Sequence, residues 1–410
     1  MHTTSNKRKL INDPLHGFIT IPDDLIFDLI EHPWFQRLRR IQQLGMTSLV
    51  YPGAQHTRFH HALGAMHLMQ QAIEVLRGKG IPISHEESRA TLIAILLHDI
   101  GHGPYSHALE SCIINNIHHE SISLAMLNAL NKQFGNKLSM AIDIFTNKYE
   151  KGFLHQLISS QLDMDRLDYL MRDSFYSGVS EGVVNTDRIL KMLTVVHGNL
   201  AVEAKGIYSI EKFIVARRLM YWQVYFHKTV LASESLLINI LRRARELSKT
   251  KKLFASPAFE YFLINEISEK ELENNPEILA QFARLDDYDI LSAIKVWCDN
   301  EDSVLSTLSN SLINRNLFRL EFSETAFDAL KLQSLQKAVM AKMDMNEQES
   351  AYMIMSGKLT NNAYNPGEDK ILISEKEGAV KDFSELSNML NIGVYNSVVQ
   401  KYYLCYPKDV

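Results

Sequence analysis

The sequence has 410 residues, 46% hydrophobic and 22% charged, which is the composition of a globular protein that can bury a large core. Its formal net charge of −5 disfavours nucleic acid as the main partner, since non-specific binding to nucleic acid needs a basic surface, yet it permits a local basic pocket for phosphates. The three separated cysteines predict neither disulfides nor a cysteine metal site, and with no apolar run long enough for a membrane they favour a cytoplasmic protein without a membrane partner.

Several helices are predicted within the first hundred residues, together with a turn-like segment at Asn12 to Gly17 and a loop at Leu49 to Gly53. Pro22 to Leu25 begins a helix that Pro33 ends, and a helix from His61 to about Arg77 has an apolar face. A capping box at Ser84 to Glu87 begins the next helix, from Ser88 to His98. That helix is apolar around nearly its whole circumference, which is typical of a central, buried helix.

The end of this helix carries a dense group of potential metal ligands. The string Leu97-His-Asp-Ile-Gly-His-Gly-Pro-Tyr-Ser-His107 holds three histidines and one aspartate. Its glycines and proline end the helix, so that the adjacent His98 and Asp99 can converge on one ion. The helix dipole also favours histidines at a helix C-terminus, but a buried His-Asp pair needs a partner or a metal. We therefore predict a metal or catalytic site here.

A long helix predicted from Leu154 to Arg172 adds acidic side chains. Asp165, Asp168, Tyr169 and Arg172 share one face by their i, i+3, i+4 and i+7 spacing. A solvated face with Asp–Arg pairs has the same pattern, but these aspartates interrupt an otherwise apolar helix. One of them is therefore a candidate for a buried metal ligand.

The predicted secondary structure changes near residue 315, from helices to a mixture of strands and helices. A hairpin over Leu193 to Tyr208, a helix over Glu211 to Leu247 and further helices over Pro257 to Leu312 come first. Short strand-like runs follow, among them Ala351 to Met355, with helical segments between them. The fold class is mainly α: a helical domain over residues 1–314, whose metal-site core spans about 35–230, and a small α+β appendage over residues 315–410.

The candidate metal ligands are His61, His98, Asp99 and Asp165. Two imidazoles and two carboxylates suit one divalent transition metal, Zn, Fe, Mn or Ni, better than Mg, which prefers oxygen ligands. Such an ion leaves positions for substrate and for a water that becomes a usable nucleophile near neutral pH. Nearby are residues of the types that bind phosphate and protonate a leaving oxygen: His102, His107, Glu110, His119 and Glu120.

The order His…His-Asp…Asp resembles the HD-domain metal phosphohydrolases, and most of all the deoxynucleoside triphosphate (dNTP) triphosphohydrolases. The resemblance rests on Arg58-Phe-His-His-Ala-Leu-Gly64, Leu97 to His107, and Asp163-Met-Asp-Arg-Leu-Asp-Tyr169, and it extends from about Leu10 to about His227. It implies an all-helical HD-domain core. It also implies hydrolysis of dNTP to deoxynucleoside and triphosphate through attack of metal-activated water on the α-phosphorus.

Carried over residue by residue, the resemblance assigns roles within the site. It makes His61, His98, Asp99 and Asp165 the metal ligands. It places the phosphates at Arg58, His107, Arg166 and Lys228. It gives proton transfer at the α-phosphate to His102, His119 and Glu120, with support from Glu110. It lines the sugar and base pocket with Gln43, Leu44, Tyr169, Asp173, Arg217 and Tyr225. Tyr169 would crowd the sugar 2′ position, while Gln43 and Asp173 would bind the 3′ hydroxyl.

The family also implies partners. Its members often form dimers or tetramers with nucleotide effectors between subunits. The basic run Arg242 to Lys252 and the C-terminal appendage are the candidate regions for this here, and Mg²⁺ would accompany the substrate phosphates. Two alternatives stay open from the sequence. One is an HD phosphohydrolase for another phosphoester, such as a nucleoside monophosphate, a cyclic or signalling nucleotide, or a nucleic-acid end. The other is a nucleotide-sensing protein without turnover.

Overall fold

Side-chain caps set the beginnings of many helices in a computed structural model of the chain, which describes residues 9–105, 112, 114, 117–361, 364–365, 367, 370–375, 378–387 and 399–410. Asp23, Ser84 and Asp163 each accept a hydrogen bond from a backbone N–H of the first turn that follows. The Ser84 cap is the predicted capping box, with Glu87 reaching back to the Ser84 N–H.

The helices of the first half surround the predicted metal site. They are α1 (Asp24–Glu31), α2 (Pro33–Gln36), α3 (Arg58–Gly78), α4 (His85–Leu97), α5 (His119–Gln133), α6 (Ser139–Phe145), α7 (Gly152–Gln156), α8 (Met164–Ser177), α9 (Thr186–Met192) and α10 (Ile207–Met220). Short 3₁₀ turns lie at Arg37–Arg40, Gly45–Leu49, Ser180–Gly182 and Ala204–Gly206.

Helices continue through the second half of the chain. They are α11 (Lys228–Ser248), α12 (Pro257–Ile264), α13 (Glu269–Asn274), α14 (Pro276–Phe282), α15 (Asp287–Trp297), α16 (Ser303–Ile313), α17 (Ala329–Met343), α18 (Glu347–Ser350) and α19 (Phe383–Leu386). A π-helical turn, Tyr221–Tyr225, precedes α11, and a 3₁₀ turn, Ala351–Met353, follows α18. None of the helices in the described ranges is long and apolar enough to cross a membrane.

The predicted boundaries of two helices and one strand are wrong. The helix predicted over Leu154 to Arg172 is two helices, because Asp163 caps α8 and residues 157–163 lie between α7 and α8. The helix predicted over Glu211 to Leu247 is broken after the π turn, where the His227 side chain accepts from the Thr229 N–H and begins α11. The run Ala351 to Met355 is a 3₁₀ turn that meets a strand only at Met355.

Strands form three small sheets within the described residues. They are β1 (Leu10–Asp13), β2 (Gly17–Thr20), β3 (Leu193–Val196), β4 (Asn199–Glu203), β5 (Arg319–Ser323), β6 (Met355–Asn361), β7 (Leu372–Ser374), β8 (Val380–Asp382) and β9 (Val399–Tyr406). The sheets have the orders β1-β2, β3-β4-β7-β8 and β5-β9-β6. In the second sheet, β4 pairs in parallel with β7 in the register Val202 to Ile373. The C-terminal strands therefore extend the hairpin of the helical region, and the predicted mainly-α class with a small sheet-containing C-terminal part is confirmed.

The core is centred on α4, as its apolar circumference predicts. Leu92, Ile93, Ile95, Leu96 and Leu97 are all buried. α3 packs against both α4 and α8. Burial of an aliphatic side chain contributes roughly 1.5–3 kcal/mol, so this packing strongly fixes the C-terminal end of α4 relative to its two neighbours.

Candidate active site

The ends of three core helices meet at one point. His61 lies in the first turn region of α3, His98 follows the last residue of α4, and Asp165 lies in the first turn of α8. Asp99, next to His98, is 6% exposed. The structure thus brings together the four residues predicted to bind a metal.

The distances between these side chains are short. The His61 Nε2 atom lies 3.0 Å from Asp165 Oδ1 and 3.8 Å from Asp99 Oδ2. The His98 Nε2 atom lies 3.3 Å from Asp99 Oδ1 and 3.5 Å from Asp165 Oδ1. Ligands about 2.1 Å from a common ion are about 3–4 Å from one another. His61, His98 and Asp99 therefore have the spacing of ligands to a single metal ion. Asp165 lies outside that group, although its Oδ1 atom is close to both histidine Nε2 atoms.

The opposite nitrogens of the two rings are already engaged. His61 Nδ1 donates to Asp168 Oδ2 at 2.8 Å, and His98 Nδ1 donates to the Ile95 carbonyl at 2.6 Å. Both Nε2 atoms are therefore presented to the carboxylates as acceptors when the rings are neutral. Acceptor nitrogens that face carboxylates need a positive charge between them, and the donor set fits a divalent transition metal.

The pKa shifts of the histidines and aspartates at this point also indicate an excess of negative charge. Burial lowers the pKa of His61, but hydrogen bonds to Asp165 and Asp168 outweigh it and raise that pKa to about 10. Burial raises the pKa of Asp165, but its contacts with the two histidines hold that pKa below its usual range. Burial also raises the pKa of Asp99, but His98, His102 and Arg58 outweigh it and hold that pKa well below its usual range. The pocket thus favours a cation strongly.

A second group of ligand types shares Asp99. The His102 Nε2 atom lies 3.2 Å from Asp99 Oδ1, and the His102 ring stacks on His119 with centroids 3.8 Å apart. Burial, with the nearby Arg58, holds the pKa of His102 well below its usual range, so His102 is neutral. Glu120 is largely exposed, with its carboxylate 3.5 Å from His119 Nε2. The structure therefore places the predicted proton-transfer group His102, His119 and Glu120 beside the metal set, where Asp99, His102 and His119 also have metal-ligand spacing.

A cavity of about 490 Å³ opens from this point. Asp99, Asp165, His102 and His119 belong to its wall. Predicted substrate residues also line it: Gln43, Leu44, Arg58, Arg166, Tyr169, Asp173 and Tyr225. A volume of this size suits a small-molecule ligand.

Two arginines of the cavity wall are paired with aspartates. Arg58 binds Asp99, and Arg166 binds Asp163. Burial lowers the pKa of Arg166, but Asp163 and other neighbours outweigh it and raise that pKa further above its usual value, so the residue stays charged. Lys228, by contrast, is exposed and lies 5.4 Å from the Phe322 ring, and it does not belong to the described cavity wall.

In the predicted sugar pocket, two side chains bind the Asp173 carboxylate. Asp173 accepts from Tyr225 Oη at 2.7 Å and pairs with His56 Nε2 at 2.8 Å. The Tyr169 ring meets Tyr225 edge to face, with centroids 6.4 Å apart. The Gln43 Oε1 atom is buried without a hydrogen-bond partner in the described residues. The Arg217 Nε atom is likewise buried without a hydrogen-bond partner in the described residues. Arg217 does not form part of the described cavity wall.

Asp287 of α15 holds the loops that carry part of this wall. Its carboxylate accepts from the backbone N–H groups of Gln42 and Tyr105, each at 2.8 Å. Burial raises the pKa of Asp287 to about 7. Gln43 and Leu44 are thereby positioned by a residue more than two hundred positions away along the chain.

Two predicted site residues lie outside the described part of the chain, and two residues of the site were not assigned their roles from the sequence. The predicted phosphate ligand His107 and the predicted supporting residue Glu110 lie outside the described residues. Asp168 shares a helix face with Asp165, and that spacing was the signal for it, but its contact with His61 was not predicted. No pattern in the sequence indicated Glu234, which also lines the cavity.

The basic run considered for an effector divides into two parts. Arg243 pairs with Asp302, and Arg245 donates to the backbone carbonyls of Cys112 and Asn265. Lys249, Lys251 and Lys252 line a separate surface cavity of about 300 Å³. The arginines thus have structural contacts within the chain.

Comparisons with known proteins agree with this geometry. Residues 58–173 match the HD domain family, and residues 184–256 match the HD associated region. The crystal structure of a phosphohydrolase from Bacteroides thetaiotaomicron is 51% identical, with a TM-score of 0.94 over 97% of this chain and 99% of that one. The uncharacterised protein YwfO of Bacillus subtilis is 33% identical over 99% of this chain and 93% of its own. The deoxynucleoside triphosphate triphosphohydrolase SAMHD1 homologue of Dictyostelium discoideum is 30% identical, over 67% of this chain and 57% of its own.

Proposed function

The chain belongs to the HD-domain phosphohydrolase superfamily, and we propose that within it the protein is a metal-dependent dNTP triphosphohydrolase. The observation that carries this proposal is one continuous cavity whose wall holds Asp99 and Asp165 of the predicted metal set, two arginines and the Asp173–Tyr225 pair. Such a wall offers neighbouring positions for phosphates and for a sugar. Relatives named as dNTP triphosphohydrolases support the same substrate class.

His61, His98, Asp99 and Asp165 would hold the metal. A divalent metal there supplies a Lewis acid for a phosphoryl oxygen and lowers the pKa of water. Arg58 and Arg166, which lie beside Asp99 and Asp163, would offset the negative charge that grows on the phosphates. In the proposed reaction a water oxygen bonds to the α-phosphorus while the bond from that phosphorus to the sugar 5′ oxygen breaks, and the products are a deoxynucleoside and triphosphate.

The leaving 5′ oxygen needs a proton. His102 and His119 stack beside Asp99, and Glu120 lies next to His119. A histidine donates or accepts a proton readily near neutral pH. We assign the supply of the proton to His119 and Glu120, which are nearer to solvent, while the buried, neutral His102 stacks on the His119 ring and orients it.

The sugar would lie against Tyr169, Asp173 and Tyr225. Asp173, held by His56 and Tyr225, is an acceptor for the 3′ hydroxyl, and the Gln43 amide is a further partner for it. The bulk of Tyr169 would oppose a 2′ hydroxyl and so favour deoxyribose. These roles follow the family pattern at the same positions.

A second candidate is hydrolysis of a phosphoester with fewer phosphates. It is favoured by one observation: of the residues expected to bind phosphates, Arg58 and Arg166 line the described cavity wall and Lys228 does not. A nucleoside monophosphate would release inorganic phosphate, whereas a dNTP cleaved at the α-phosphorus would release intact triphosphate. The inorganic product therefore separates the two candidates.

Substitution of Asp165 tests the proposal. Asp165 is partly exposed and contacts both histidines, so Asp165→Ala should preserve the fold but lose bound metal and dNTP turnover together. Metal content by mass spectrometry and turnover by chromatography are measured on the same preparation. An Asp165→Ala protein with full metal content and full activity would contradict the assignment.

A further inference from the structure

Glu234 is a carboxyl group in the cavity wall that neither the metal set nor the sugar contacts use. It lies on α11 one turn after Val230 and Leu231, and Leu359 of β6 lines the same cavity. Its side chain is half-buried, and Tyr403 lies near enough to interact with it electrostatically. Burial raises the pKa of Glu234 to about 7. A carboxyl group is costly to keep in such a place unless something binds it.

The other carboxyl groups of this wall have protein partners. Asp99 contacts Arg58 and His102, and Asp165 contacts His61. Asp173 is bound by two side chains, as described above. In the described part of the chain, no hydrogen bond or ion pair engages Glu234. Its two oxygens are therefore available to a ligand in the cavity.

Charge decides which part of a nucleotide lies beside Glu234. A triphosphate is strongly negative, and it is attracted to the metal set and to Arg58 and Arg166 but repelled by an uncompensated carboxylate. Phe226 and Leu231, which line the same cavity as Glu234, offer the aromatic and apolar surface against which a base packs. The base is thus the part of the substrate that suits this region.

We propose that Glu234 recognises the nucleobase and selects guanine, an assignment that rests on the proposed dNTP function. An ionised carboxyl group has two acceptor oxygens and no donor. On its Watson–Crick edge, guanine presents two adjacent donors, the N1–H and the N2 amino group. Adenine and cytosine present one amino group beside an acceptor nitrogen, and thymine presents one N–H between two carbonyls. Guanine alone gives each carboxylate oxygen a donor.

The test is a competition among substrates. Wild-type protein, Glu234→Gln and the control Glu74→Gln, which changes an exposed carboxyl group of α3, are each given an equimolar mixture of the four dNTPs. Chromatography measures the initial ratio of deoxyguanosine to thymidine, which is insensitive to the amount of active enzyme. Wild type and Glu74→Gln should release deoxyguanosine in excess, and Glu234→Gln should lower the ratio about tenfold, the effect of losing one paired contact to a base.

Two results would overturn the assignment: a wild-type protein that does not favour dGTP, or a Glu234→Gln protein with an unchanged ratio while turnover persists. Absence of any turnover by wild type would instead count against the proposed function. Calorimetric titration with free deoxyguanosine and free thymidine then tests base recognition independently of turnover. Tighter binding of deoxyguanosine that is lost in Glu234→Gln supports base recognition, and equal binding of the two nucleosides by wild type contradicts it.

Discussion

The ring of His61 donates a hydrogen bond of 2.8 Å from Nδ1 to Asp168, a carboxylate with no solvent exposure. Asp168 also accepts from His16 at 2.7 Å and from the Arg172 Nε–H at 2.8 Å. Burial raises the pKa of Asp168, but Arg172 and the two histidines outweigh it and hold that pKa well below its usual range. Asp168 therefore stays ionised and fixes which nitrogen of His61 faces the metal site.

Asp168→Asn should lower metal affinity about 10–100-fold, the usual effect of losing a residue that orients a metal ligand. The amide can still accept from His61, but it lacks the charge that keeps the ring in place and that pairs with the buried Arg172. Equilibrium dialysis against Mn²⁺ or Zn²⁺ gives the affinity. Asp187→Asn, an exposed aspartate of α9, is the control. Wild-type affinity in Asp168→Asn would show that the contact has no role in metal binding.

Gly64→Ala should disrupt the Asp168–Arg172 ion pair through a steric clash. A Cβ atom at position 64 would lie 2.0 Å from Asp168 Oδ1 and 2.2 Å from Arg172 Nη2, so the buried ion pair must move. We expect a loss of about 1–3 kcal/mol in the free energy of unfolding together with weaker metal binding. Gly78→Ala, in the same helix with open space around its Cβ, is the matched control for urea unfolding. Equal stability of the two variants would contradict the packing argument.

Tyr169→Ala should relax the discrimination between deoxyribose and ribose. The Tyr169 ring lies in the cavity wall, edge to face with Tyr225, where its bulk is proposed to exclude a 2′ hydroxyl. Turnover of GTP relative to dGTP should rise about tenfold or more, within the range of about 10–200-fold that steric discrimination by a pocket reaches. Tyr208→Ala, at an exposed position, controls for general effects. An unchanged GTP to dGTP ratio would remove Tyr169 from sugar selection.

Glu234→Gln should stabilise the protein at alkaline pH and not at acidic pH. The pKa of Glu234 is about 7 in the fold against 4.5 as the ordinary value, so the folded state binds the proton more tightly. The stability associated with that proton is present below about pH 4.5 and is lost as the pH rises through about 7, an effect of at most about 3 kcal/mol. Thermal unfolding at pH 5 and pH 8 measures it. A Glu234→Gln protein with the same relative stability at both pH values would show that Glu234 is not destabilised by burial.

The sequence predicts the local features well because they depend on neighbouring residues. The capping box at Ser84, the apolar α4 and the adjacent His98–Asp99 pair at its end follow from spacing along the chain. The grouping of that pair with His61 and Asp165 is implied by the family resemblance and not by spacing. The wrong helix boundary at Asp163 shows that an N-cap aspartate inside a helical pattern can divide it.

The remaining features depend on contacts between distant segments. The His16–Asp168 bond joins residues 152 positions apart, and Asp287 supports Gln42 from 245 positions away. The parallel pairing of β4 with β7 is equally non-local. Glu234 falls in a helix whose pattern does not show which face meets a cavity. No periodicity in the sequence encodes these relationships, so they require the structure.

The identity of the products tests the central claim most directly. Metal-loaded protein is incubated with each dNTP and each NTP, alone and in mixtures, with Mn²⁺ or Mg²⁺, and the products are separated by chromatography. We expect deoxynucleoside and intact triphosphate in equal amounts from a dNTP. Release of inorganic phosphate or pyrophosphate in place of triphosphate, or no turnover of any triphosphate by protein with bound metal, would contradict it.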